Sequence, residues 1–323
     1  MAAAAFLESS ARWLFFSETR IGAKVATFRE SYKDASILVL GACPLAYGIE
    51  PSRFSKKAYN LAYLDESLFY SEHYLALVLP EAPLIEKVIV ELDPALFFAD
   101  EVFTHGAADE LVHQKMFIRD GKRLFGIPFS TNWRFHDEVA VRSSFFLFRE
   151  LYFKKLFDCV LMGNCERADL AVVAENGHIP MSRSFAVDNR FKTPADDREL
   201  RDEIEEFGRT SMSIENGVRN QVHVKNLIEY GRQRGVRLVF VTPPYFSRYG
   251  KLFMASLSRE MRELYAQTTA MAGSHAGVTY VDAMDIFAER PEERELFFDP
   301  IHLNVAGAKA FTEALDEKLK ALP

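Results

Sequence analysis

Ile37-Leu38-Val39-Leu40-Gly41-Ala42-Cys43-Pro44-Leu45-Ala46-Tyr47-Gly48-Ile49 is the stretch that decides the fold. Four consecutive apolar residues closed by a glycine have the length and character of a strand buried on both faces, as in a parallel sheet. Three more runs share that pattern. Lys87-Val88-Ile89-Val90-Glu91-Leu92 is stopped by Asp93-Pro94, Val236-Arg237-Leu238-Val239-Phe240-Val241 by Thr242-Pro243-Pro244, and Val278-Thr279-Tyr280-Val281 is followed by Asp282. Between them, residues 66–79, 217–234, 256–272 and 305–321 carry apolar positions at three- and four-residue spacing, and Gly235 stops the second of these helices. Strands alternating with helices predict an α/β fold: a three-layer α/β/α sandwich on a mainly parallel sheet of about five strands.

Residues 100–215 break the rhythm. Within them, 137–158 (DEVAVRSSFFLFRELYFKKLFD) form a strongly aromatic helix candidate. Phe145, Phe146, Phe148, Tyr152, Phe153 and Phe157 suit a helix packed on the sheet. With Arg149, Lys154 and Lys155 beside them, they also suit an acyl-chain pocket or a membrane-surface face. The charged stretch 196–206 reads as a solvated helix or linker. The expected organisation is one domain over 1–323, with 100–215 an inserted, mainly helical region that partly walls the site. Residues 4–31 read as a helical leader.

Composition narrows the function. Of 323 residues, 49% are apolar and 26% charged, which supports a sizeable core and excludes global disorder. A net charge of −7 argues against a general nucleic-acid binder. Three cysteines, Cys43, Cys159 and Cys165, are too few for a disulfide framework or a paired CxxC zinc site. Cys159 and Cys165 read as core residues, and no histidine spacing suggests a metal. The GxCxxxxG spacing of 41–48 lacks GxGxxG and contains a proline, so no dinucleotide cofactor is expected. Glu8 and Arg12 interrupt the apolar N-terminal residues, no basic residue precedes them, and no run reaches the length of a membrane span. The expected compartment is the cytoplasm, with peripheral membrane contact left open.

In open parallel sheets, ligands bind outside the carboxyl ends of the strands. Cys43 lies on such a turn, where a nucleophile is exposed and backbone N–H groups can face a reacting oxygen. Phe298-Asp299-Pro300-Ile301-His302-Leu303-Asn304 lies just before a helix rich in Ala and Gly. An Asp three residues before a His can fix the imidazole tautomer while the other ring nitrogen acts as base. Each feature also has a structural reading: Cys43 as a small buried residue, and Asp299 as a helix cap.

The segments LVLGACPLAYGIEP, AYNLAY, VFVTPPY and FFDPIHLNVAGAKAF resemble the SGNH (GDSL-like) hydrolase superfamily. The likeness is nearest to its divergent branch with the D-alanyl transfer protein of teichoic acid and polysaccharide O-acetyltransferases. It spans roughly 32–95 and 217–322, and the DxxHLN segment is its most specific part. The resemblance implies that Cys43 replaces the family's serine nucleophile, His302 is the general base and Asp299 orients it. It implies an oxyanion hole from the Cys43 amide, Ala62 and Asn60, the last two in Asn60-Leu61-Ala62. The family's GxND block is absent: Asp93-Pro94-Ala95 follow the second strand run, leaving the third oxyanion donor unassigned.

The implied activity is acyl-ester hydrolysis or acyl transfer through a Cys-His-Asp triad and a thioester intermediate. The implied acceptor is a carbohydrate or cell-envelope intermediate, with an acyl-CoA or acyl carrier protein as donor and no metal or cofactor. The competing classes are a non-catalytic SGNH-like binding or scaffolding protein, favoured by the cysteine and the missing GxND block, and a thiol sensor. The sequence leaves the oligomeric state open.

Overall fold

The computed structural model of the chain describes residues 31–63, 66–100, 118–119, 122–123, 174, 176–182, 184 and 196–321. Five parallel strands, β1 (Ile37–Leu40), β2 (Ala58–Asn60), β3 (Lys87–Glu91), β4 (Arg237–Thr242) and β5 (Val278–Asp282), form one sheet in the order β2-β1-β3-β4-β5. In chain order the helices are α1 (Cys43–Gly48), α2 (Leu68–Val78), α3 (Pro94–Phe98), α4 (Asp196–Ser211), α5 (Ile214–Arg234), α6 (Ser247–Ser256), α7 (Arg259–Ser274) and α8 (Val305–Ala321).

Side chains alternate across the sheet, so each apolar strand feeds two cores. Leu38, Leu40, Val88, Val90, Leu238 and Phe240 pack with residues of α2, α3, α5, α6 and α7. Ile37, Val39, Ile89, Val239 and Val241 pack on the other face with residues of α1 and α8. Both faces of the sheet are therefore covered by helices. Leu200 of α4 joins one core and Ile204 the other.

The helix ends follow local chemistry. Ser213 caps α5 by accepting from the Asn216 amide, and Gly235 stops it in the left-handed conformation at φ 66°. Val236 then donates back to the Gly231 carbonyl, the hydrogen bond that closes such a stop. The four apolar runs form β1, β3, β4 and β5. The fifth strand, β2, spans three residues, too short to carry a periodic signal, and is defined by pairing with β1 in the register Val39–Asn60. The charged stretch at 196–206 lies within α4, which packs against α6.

Ala99 and Met212 form an antiparallel bridge, so the two ends of the span between them lie side by side. Within that span Ile118–Arg119 pairs antiparallel with Lys122–Arg123. The aromatic stretch 137–158, Cys159, Cys165 and nearly all of the leader 4–31 lie outside the described residues. Among the described residues, no helix is long and apolar enough to cross a membrane.

Candidate active site

The strand order reverses at β1: the chain passes from β1 to β2 on one side, then to β3 on the other. That reversal opens the crevice between the carboxyl ends of β1 and β3. Gly41-Ala42-Cys43 leaves β1 there and Leu92-Asp93 leaves β3. Cys43 is the first residue of α1 and is only partly buried.

The structure brings Cys43, His302 and Asp299 together from opposite ends of the chain. Asp299 shapes its own loop: its Oδ1 accepts from the amides of Ile301 (3.0 Å) and His302 (2.9 Å). Its Oδ2 lies 2.7 Å from Nδ1 of His302. The loop is pinned from outside, since the Phe246 amide donates to the Pro300 carbonyl at 2.9 Å. The edge of the His302 ring meets Tyr47 of α1 at 5.1 Å between centroids.

Burial works against a charged His302. The charge of Cys43, together with hydrogen bonding to Asp299 and Cys43, outweighs it and holds the imidazole pKa well above its ordinary value. Nε2, the ring nitrogen that Asp299 does not engage, is buried without an aligned hydrogen-bond partner, and Cys43 is near enough for its charge to act on the ring. Burial likewise pushes Asp299 up, but the His302 bond and charge and the two loop amides pull it net below the ordinary carboxylate value.

Two deeply buried carboxyls hold the turn that carries Cys43. Glu66 Oε1 accepts from the Gly41 amide at 3.1 Å and from the Ser71 hydroxyl at 2.7 Å. Glu91 Oε2 accepts from the Ala42 amide at 2.9 Å and the Leu45 amide at 3.4 Å. Burial and the neighbouring Asp93 drive the Glu91 pKa well up, beyond what the Leu45 and Ala42 amides offset. Asp93, where the GxND block would fall, caps α3 through the Ala95 and Leu96 amides and receives the Tyr245 hydroxyl at 2.5 Å. Its carboxylate is the acceptor in all three contacts.

Asn60 and Ala62 do not fit the oxyanion role expected of them. Asn60 is fully buried, and its Nδ2 donates to the carbonyls of Leu45 (2.9 Å) and Ile49 (3.0 Å). Its Oδ1 accepts from the Ala62 amide at 3.1 Å, and that amide also reaches the Val39 carbonyl at 3.1 Å. These groups tie α1 to the end of β1 instead of facing a substrate.

Residues 176–181, inside the expected insertion, lace the site together. The Asn60 amide donates to the Asn176 carbonyl (2.9 Å), the Ile179 amide to the Ala46 carbonyl (3.4 Å), and the Val305 amide to the Met181 carbonyl (2.9 Å). Buried His178 places Nε2 3.1 Å from the Tyr47 carbonyl. The segment thus joins β2, α1 and the start of α8. Sequence reading missed this strap, Glu66 and Glu91. Only Glu91 carried a signal, as an acid inside an otherwise apolar strand run.

Among the described residues, no three His, Cys, Asp or Glu side chains gather as metal ligands. Fold and site together define an α/β protein with a Cys-His-Asp grouping at the carboxyl edge of a parallel sheet. No family model matches the chain, and no curated protein is significantly similar to it.

Proposed function

We propose that the protein is an SGNH-like enzyme that hydrolyses or transfers acyl groups through Cys43, His302 and Asp299. The observation that carries this reading is the Asp299 carboxylate on one nitrogen of the His302 ring, with Cys43 near enough to act on the same ring, at the crevice where β1 and β3 diverge.

The chemistry balances on these residues. The Cys43 thiolate attacks the acyl carbonyl carbon and forms a C–S bond. As the tetrahedral intermediate collapses, the bond to the leaving group breaks and His302 gives its proton to the departing oxygen or sulfur. A thioester remains on Cys43. Neutral His302 then takes a proton from water or an acceptor hydroxyl, whose oxygen attacks the thioester. The C–S bond breaks, and thiolate and imidazolium are restored. Asp299 keeps the ring oriented and stabilises its charge throughout. By the family resemblance, the Cys43 amide would donate to the developing oxyanion.

By the same resemblance, the acceptor is a carbohydrate or cell-envelope intermediate and the donor an acyl-CoA or acyl carrier protein, met in the cytoplasm. Intact mass after incubation with acetyl-CoA or p-nitrophenyl acetate tests the reading. One acyl group should appear on the wild type and be absent from Cys43→Ala and His302→Ala. No adduct with any ester or thioester sinks it. The engagement of Asn60 and Ala62 within the fold favours a second reading, a non-catalytic binding module, which predicts that null result.

A further inference from the structure

Glu91 is a carboxylic acid at the end of a strand whose other buried residues are Val88, Ile89 and Val90, and it is 1% exposed. A buried acid without a matching base is costly, so its contacts need a reason. Glu91 Oε2 accepts from the amides of Ala42 and Leu45, which bracket Cys43 in the sequence. Between them Pro44 has no amide to offer. Gly41 makes the approach possible. At φ 142° it leaves open the space where a β carbon would fall 2.4 Å from the Glu91 β carbon and 2.7 Å from Oε2. Any side chain at 41 would displace the carboxyl, so Gly41 and Glu91 form one device.

We propose that Glu91 is the positioning residue of the nucleophile turn: by holding the Ala42 and Leu45 amides it fixes where Cys43 stands relative to His302. This inference rests on the acyl-transfer reading and deepens it.

The groups around Glu91 say in which form it works. Asp93 follows it on the same strand end, Glu66 reaches the same turn from beside α2, and Tyr245 lies across from β4. These charge influences are acidic or phenolic, and with burial they favour the neutral carboxyl, whose carbonyl oxygen still accepts both amides. A neutral acceptor also spares the Cys43 thiolate a like charge one turn below it. Glutamine reproduces that acceptor, whereas aspartate is one methylene short of it.

The test is the rate of Cys43 alkylation by iodoacetamide, read by peptide mass mapping from pH 6 to 10 on the full chain. It compares the wild type, Glu91→Gln, Glu91→Asp, Glu91→Val and His302→Ala, with thermal melts in parallel. Glu91→Gln should keep the wild-type rate within about threefold at neutral pH, while Glu91→Asp and Glu91→Val lose about tenfold or more, the scale of a displaced reacting group. If Glu91→Val does not fold, the contrast of Gln with Asp decides. A wild-type rate that depends on His302 and is unchanged in folded Glu91→Asp or Glu91→Val overturns the positioning role alone. A Glu91→Gln variant as slow as His302→Ala overturns the neutral acceptor. A wild-type Cys43 that reacts like a free thiol and ignores His302→Ala overturns the nucleophile reading, and this inference with it.

Discussion

Asp299 holds His302 at two points: one carboxylate oxygen lies 2.7 Å from the ring Nδ1, and the other accepts the residue's own main-chain amide at 2.9 Å. One side chain thereby sets both the backbone of the DxxH loop and the tautomer of the base. The two tasks separate in Asp299→Asn. The amide oxygen can still accept the loop amides, but the NH2 group cannot accept from Nδ1–H. The variant should fold, melt somewhat below the wild type at neutral pH, and lose acylation by on the order of 100-fold or more. The raised pKa of His302 means that its stabilisation is complete below the ordinary imidazole range and is lost as pH rises through the raised folded value. Asp299→Asn should lower that value, so NMR titration of the ring should show its transition at lower pH than in the wild type. An unshifted ring and an unchanged rate would contradict the pairing.

The pH dependence of stability should be governed by acids pulling in opposite directions. Asp299 has a lowered pKa, so its stabilisation is present above the ordinary carboxylate range and lost as pH falls through the depressed folded value. Glu91 and Asp93 are raised, so the folded state keeps protons that the unfolded chain releases, and stability erodes as pH climbs from that range toward their raised values. Urea unfolding should therefore show stability falling as pH rises above the ordinary carboxylate range in the wild type, and falling less in Glu91→Gln. Equal slopes for the two proteins would show that Glu91 is ionised in the fold.

Much of this arrangement was legible in the sequence, and the gaps have physical causes. Buried parallel strands need continuous apolar runs, so β1, β3, β4 and β5 announced themselves. Asp299 and His302 sit three residues apart, where the geometry of one turn couples them. Asn60 was read for what the family motif does, yet its side chain bonds carbonyls of α1 that only the tertiary fold brings near. Glu66 and the 176–181 strap act through contacts distant in the chain, which leave no local pattern. Glu91 was visible as a misplaced charge, but its meaning depends on Gly41, a residue on another strand's turn.

Gly177 should be intolerant of any side chain. It sits at φ 84°, and a β carbon there would fall 2.1 Å from the Asn60 carbonyl oxygen. Gly177→Ala must move the strap off β2 or strain the backbone, at a cost of about 1–3 kcal/mol. Because the same strap meets Ala46 and Tyr47 of α1, Cys43 alkylation should slow along with the fall in melting temperature. A wild-type melting temperature in Gly177→Ala would show that the strap contributes nothing to the fold.

Asn60 offers the sharpest separation between a structural and a catalytic role. Its Nδ2 satisfies the Leu45 and Ile49 carbonyls in a site with no exposure, and its Oδ1 receives the Ala62 amide. Removing it takes a hydrogen bond from each of these buried groups, although the Leu45 carbonyl keeps the Ile49 amide and the Ala62 amide keeps the Val39 carbonyl, at a cost of about 1–3 kcal/mol. Asn60→Ala should therefore melt earlier than the wild type. Asn60→Asp should do the same, since a carboxylate cannot donate to the two carbonyls. Loss of an oxyanion donor has another signature: a fall in kcat of about 100- to 1000-fold with the fold intact. With the ester assay run well below the melting point, Asn60→Ala should keep kcat within about tenfold of the wild type. A native melting temperature with a collapse in kcat would return Asn60 to the oxyanion hole, and its engagement with α1 would then have to break when substrate binds.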